Sequence, residues 1–88
     1  MIEFRNERAR QFVAEHAQSL GDTRSLQLLQ TGVQSPNDAT HLAQLYWAIV
    51  DAPLEDNVEY LLEQAYSALH IHCGNKGFES AWEQEIPE

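Results

Sequence analysis

The 88-residue sequence predicts an all-α fold: a small four-helix bundle, one helix short, carrying a C-terminal helical arm. Three observations lead there. Apolar residues recur three and four apart in each segment, the spacing of one helix face. No run alternates apolar and polar residues as a half-buried strand does. The four glycines and three prolines fall between the apolar runs, where helices start and stop.

The first segment is expected over about Glu3 to Leu20. Phe4, Ala9, Phe12, Val13, His16 or Ala17, and Leu20 form its stripe, and Gly21 suits a left-handed C-cap position. The second, about Thr23 to Thr31, has Asp22 or Thr23 as N-cap and ends at Gly32. Leu26, Leu28, Leu29 and Val33 face inward. Two turns cannot hold alone, so packing must hold them.

The third segment has the clearest start. Ser35, Pro36 and Asp38 supply a capping hydroxyl, a proline at N1 and an acid at N3. Leu42, Leu45, Tyr46, Ile49 and Val50 follow, and Pro53 ends the run by disfavouring helical geometry at Ala52. The fourth is expected from about Leu54 to Cys73. Its stripe is Val58, Leu61, Leu62, Ala65, Leu69 and His72 or Cys73, with Glu55, Asp56 and Glu59 in its first turn and a stop at Gly74-Asn75. In the tail, Phe78, Trp82 and Ile86 lie four apart and fit a short amphipathic helix. Residues 1–74 thus read as the bundle and 75–88 as an acidic amphipathic arm of the same single domain.

The formal net charge is −9, from five Lys and Arg against 14 Asp and Glu. Residues 1–24 balance, four against four; residues 25–88 carry one cation, Lys76, against ten acids. Such a surface repels phosphate backbones and anionic lipid, and attracts basic proteins over a Debye length of roughly 8 Å. Arg5 and Arg8 share a face but are interleaved with Glu3, Glu7 and Glu15, too little for direct nucleic-acid binding. No apolar run approaches the ~20 residues of a membrane span. The single cysteine, Cys73, forms no internal disulfide, and the charged, polar N-terminal 25 residues carry no apolar signal-peptide core. The expected location is the cytoplasm.

Chemistry is thinly represented. His70, His72 and Cys73 are metal-ligand types, but His70 and His72 point about 200° apart on a helix. His70 and Cys73 can share an ion; a structural zinc site needs four ligands, usually two separated pairs, and no second pair has that spacing. Cys73 with a histidine carries no nucleophile signature, and the Glu55/Glu59 and Glu59/Glu63 pairs read as solvated i, i+4 carboxylates. No glycine-rich phosphate loop is present. The expectation is a protein that is no enzyme and has no cofactor.

The aromatic residues left after the stripes are assigned carry the functional reading. Trp47 lies beside its stripe, Tyr60 and Ile71 lie off theirs, and Phe78 and Trp82 sit in the tail. Trp and Tyr are over-represented at binding hot spots. The tail either folds back over Trp47 or Tyr60, or leaves an aromatic patch for another protein. The sequence therefore suggests a small acidic interaction module, an inhibitor or adaptor of bacterial or phage type. Its partner would be a protein, basic or itself nucleic-acid-binding, met through Asp51, Glu55, Asp56, Glu59 and Glu63 with Trp47, Tyr60, Phe78 and Trp82 as aromatic contacts. In size and charge the chain is similar to bacteriocin immunity proteins and some phage-encoded inhibitors. Two other expectations compete: a self-assembling homodimer in which Phe78 and Trp82 cross to the second subunit, and a metal-binding regulator using His70 and Cys73.

Overall fold

The computed structural model describes residues 2–53 and 57–85. They form five helices, α1 (Glu7–Ser19), α2 (Thr23–Thr31), α3 (Pro36–Asp51), α4 (Glu59–Asn75) and α5 (Glu79–Glu85), and no strand occurs among them. The Cα radius of gyration is 11.7 Å, close to the roughly 12 Å of a compact chain of this length. The C-terminal helix is therefore packed, not extended.

Helix α1 starts at Glu7, later than the stripe predicts. The Asn6 side chain accepts the Arg8 N–H at 2.9 Å and caps the helix there. The residues before it cross to α2, where the Ile2 N–H donates to the Leu29 carbonyl at 3.1 Å. Ile2 is fully buried, and the Arg10 guanidinium donates to its carbonyl at 2.9 Å. Leu20, expected in the stripe, is the C-cap residue and is exposed at the end of the helix.

Three residues, Leu20 to Asp22, join α1 to α2. Gly21 takes φ 73°, as its place after the cap predicts. It donates to the Gln18 carbonyl at 3.1 Å, and Asp22 donates to that of Ala17 at 2.8 Å, a Schellman closure. The Asp22 carboxylate then caps α2 by accepting from the Ser25 N–H at 3.1 Å and hydroxyl at 2.7 Å. Helix α3 begins as read, with Pro36 in its first turn and the Ser35 hydroxyl accepting from Asp38 N–H.

Helix α4 departs from expectation at both ends. It begins at Glu59 rather than near Leu54, because Asn57 adopts φ 72°, a conformation no right-handed helix contains. Leu54, Glu55 and Asp56 lie outside the described residues. At the other end Gly74 is helical and the stop falls three residues later. Gly77 takes φ 83°, its N–H donates to the Gly74 carbonyl at 3.0 Å, and Phe78 N–H donates to that of Cys73 at 2.8 Å. Helix α5 thus turns back onto α3 and α4, and Trp82 joins Leu42, Ile49, Ala65 and Leu69 in the core.

Candidate functional site

The stripes account for the core, so the remaining large apolar side chains define where a partner can touch. Trp47 is 42% exposed and Tyr60 58% exposed. Trp47, Val50 and Asp51 are related by i, i+3 and i+4 and share one face of α3. Glu59, Tyr60 and Glu63 occupy the first turns of α4 and are all exposed. Seven residues, 52–58, connect α3 to α4 in the chain. Burial, then Tyr66, then the charge of Glu63 raise the Tyr46 hydroxyl above its ordinary pKa. The last turns of α3 and the first turns of α4 between them expose two aromatics, Val50 and three carboxylates. Glu55 and Asp56, expected in the same set, lie outside the described residues.

The tail residues are placed differently. Trp82, expected as a contact for a partner, is fully buried within its own chain. Its ring packs against Tyr66 at 5.7 Å and Tyr46 at 6.2 Å, and stacks on His70 at 6.5 Å with an interplanar angle of 15°. Phe78 is half-buried against the same core. The tail folds back, but what it buries is its own Trp82, and Trp47 and Tyr60 stay open. An apolar Trp82 at spacing four from Phe78 belongs equally to a docked helix and to an exchanged one, so the stripe does not decide between them.

His70 joins a cluster the sequence spacing does not show. His70 Nε2 lies 3.2 Å from a carboxylate oxygen of Glu79 and 3.2 Å from one of Glu83. The three ligand atoms lie within 4.8 Å of one another, a geometry in which they could hold a metal ion. The same contacts are met by the His70 N–H lying between two exposed carboxylates and tying α5 to α4, so the geometry needs no ion. Cys73, expected to pair with His70, is buried instead, and burial pushes its thiol up to about 11. At neutral pH it is held as the thiol, a poor nucleophile. The signal for Glu79 and Glu83 was their i, i+4 spacing flanking Trp82, which becomes informative only once α5 is known to dock.

His72 lies apart from this cluster. Its Nε2 accepts the Val33 N–H at 2.9 Å, and burial, helped by Lys76, lowers its pKa. Two polar pairs clasp α2 to α3. His41 Nε2 donates to Asp22 at 2.8 Å, and Arg24 donates to Asp38 at 2.8 Å. Asp38 sits below its ordinary pKa, chiefly through Arg24 and then the Gln34 N–H. Burial alone would raise Asp22, but hydrogen bonds from Ser25 and His41 outweigh it and leave it lowered. These groups hold the fold and are spent within it.

No helix among the described residues is long and apolar enough to cross a membrane. No protein-family model, no curated protein and no solved structure is significantly similar to the chain.

Proposed function

We propose that this protein is a small acidic interaction module of the cytoplasm, an inhibitor or adaptor that binds a basic protein surface with the α3–α4 end of its bundle. The observation that carries the reading is the exposure of Trp47 and Tyr60 after the tail has folded back and used Trp82 internally. Two large aromatics left open on a small domain, with Asp51, Glu59 and Glu63 exposed around them, match the make-up of a hot spot inside a charged rim. The acids would steer a basic target and set the on-rate, while the aromatics would supply the buried contact. A target whose basic surface ordinarily holds nucleic acid would be blocked by occupation alone, which needs no chemistry from this chain.

The test compares the wild-type chain with E59K/E63K and W47A/Y60A in affinity capture from a bacterial lysate, washed at low and then high salt. The reading expects a basic protein held by wild type at low salt and released at high salt. Charge reversal should slow its association about tenfold at low salt. W47A/Y60A should lose it at any salt. A partner that both variants retain equally, or recovery of the protein's own copies alone, would overturn the reading.

A further inference from the structure

The chain's few cations converge on the side of the molecule away from α5. A groove of about 900 Å³ runs between the N-terminal segment and one face of α4. Its α4 wall is a single helical stripe that includes Gln64, Ser67, Ile71, His72, Asn75 and Lys76. Its other wall is Phe4 with Arg5 and Arg10. Three of the five Lys and Arg residues therefore face this one space; Glu3 is the acid of the lining, and Glu7 reaches Arg10 from outside it. The lining carries +2, while the rest of the chain, taken from its formal −9, carries −11.

Arg5 and Lys76 make no ion pair among the described residues, although acids outnumber cations 14 to five. Arg10 is fixed in place: it donates to the Ile2 carbonyl, lies 5.7 Å from the Phe4 ring centroid and approaches Glu7 at 3.7 Å. Both walls are pinned, one by Ile2 to Leu29 and the other by His72 to Val33. Ile71, 54% exposed, leaves an apolar surface inside the groove, with Phe4 facing it. The volume lies within the roughly 300–1,000 Å³ usual for small-molecule sites.

We propose that this groove binds a small organic phosphate monoester. Its head, about −1.5 to −2 at neutral pH, matches the +2 lining and would sit between the guanidinium of Arg5 and the ammonium of Lys76. Its organic body would lie on Ile71 and Phe4, with Gln64, Ser67 and Asn75 as hydrogen-bonding neighbours. A carboxylate head brings two acceptor oxygens where a phosphate brings three, and a nucleic acid would meet the −11 of the remaining surface. None of Trp47, Asp51, Glu59, Tyr60 and Glu63 lines this groove, so its ligand does not depend on the protein partner proposed for them.

The test is a titration of the isotope-labelled full chain, followed by amide resonances, with phenyl phosphate, inorganic phosphate and succinate at constant ionic strength. Phenyl phosphate should shift Phe4, Ser67, Ile71 and Lys76 with Kd about 1 mM or tighter, and the other two probes should bind about tenfold more weakly. The variant R5Q/K76Q, altered only at exposed side chains, should keep the wild-type melting temperature and bind phenyl phosphate about tenfold more weakly. W47A/Y60A should bind it as wild type does. Absence of shifts at those four residues, or wild-type affinity in R5Q/K76Q, would overturn the site. Equal affinity for succinate would overturn the phosphate assignment, and equal affinity for inorganic phosphate the role of Ile71 and Phe4.

Discussion

The His72 ring accepts the backbone N–H of Val33 across 39 residues of sequence, through Nε2 at 2.9 Å. That contact closes the segment following α2 onto the last turns of α4, and it requires the tautomer with its proton on Nδ1. Val33 is buried, so removing the acceptor strands an N–H away from water. The variant H72A is expected to lose about 1–3 kcal/mol, measured by urea denaturation. A loss well under that would mean that water reaches Val33 and that the two segments are less closely packed.

The same contact sets a pH dependence. Burial, with Lys76 nearby, holds His72 below its ordinary value of 6.5. The unfolded chain therefore takes up this proton first as pH falls. The residue's contribution to stability is full above about 6.5 and is lost progressively between there and the lower folded value. H72Q keeps an acceptor and has no such proton. Wild type is expected to lose melting temperature relative to H72Q on going from about pH 7.5 to about pH 5; parallel curves would contradict the assignment.

Gly32 is held against that ring. It adopts φ 85°, and a Cβ at this position would lie 3.2 Å from two atoms of the His72 imidazole. G32A meets both the strain of a left-handed side chain and the contact with the ring, and is expected to cost about 1–3 kcal/mol. In the double variant G32A/H72A the steric part disappears. A thermal-denaturation cycle should therefore show the two substitutions to be less than additive.

The sequence made most of the bundle legible because its caps are local. Ser35 with Pro36, Asp22 ahead of α2, and Gly21 after α1 each act within a few residues, and the helix ends fall where those residues put them. The misplaced boundaries have non-local or competing causes. Glu3 to Asn6 would continue the α1 stripe, but Ile2 pairs with Leu29 and Asn6 caps. Gly74 resembles a stop, yet the left-handed turn falls on Gly77, where Phe78 can reach the core. Of the functional surface, the off-stripe positions of Trp47, Tyr60 and Ile71 are legible in the sequence, but whether the tail covers Trp47 or Tyr60 is not. The burial of Trp82 and the meeting of His70 with Glu79 and Glu83 depend on where α5 docks, which spacing alone does not encode. The cationic groove was equally hidden, since Arg5 and Lys76 are 71 positions apart in the chain.

Trp82 is the side chain on which the attachment of α5 depends. It is fully buried against Tyr46, Tyr66 and His70, and its indole N–H has no hydrogen-bond partner among the described residues. W82A should cost about 3–5 kcal/mol, a large part of the stability of so short a chain, and W82F markedly less, because no hydrogen bond is lost with the indole. Circular dichroism melts separate the cases. A W82A protein as stable as wild type would show that α5 is not docked in solution.

Acid should loosen the α2–α3 clasp at a lower pH than it affects His72. Asp22 and Asp38 are both held below 3.8 in the folded chain. Their stabilisation is complete above that value and is lost as pH falls through their lower folded values. The Arg24 partner is half-exposed, so its coupling to Asp38 in a double-mutant cycle should be only about 0.5 kcal/mol. D38A should cost more, about 1–2 kcal/mol, because it also strands the Gln34 N–H. If Arg24 and Asp38 together accounted for the whole loss, the clasp would be an ion pair and not a backbone cap.

Cys73 gives a direct readout of global opening. It is the single cysteine, it is fully buried, and its thiol is pushed up to about 11 by burial. The thiolate is the reacting form, so the folded protein should resist an aromatic disulfide reagent at neutral pH. Modification should then proceed only through molecules that have opened, at a rate set by the open population. Destabilising variants provide the scale: the labelling rate of H72A should exceed that of wild type by the factor its stability loss implies, about tenfold per 1.4 kcal/mol. W47A/Y60A should label as wild type, because those side chains are exposed and contribute little to the core. If Cys73 reacted rapidly and equally in all variants, α4 would be opening locally around its C-terminal turns. The Cys73 carbonyl that accepts the Phe78 N–H would then belong to a fraying end, and the α5 attachment would be the first part of the fold to separate.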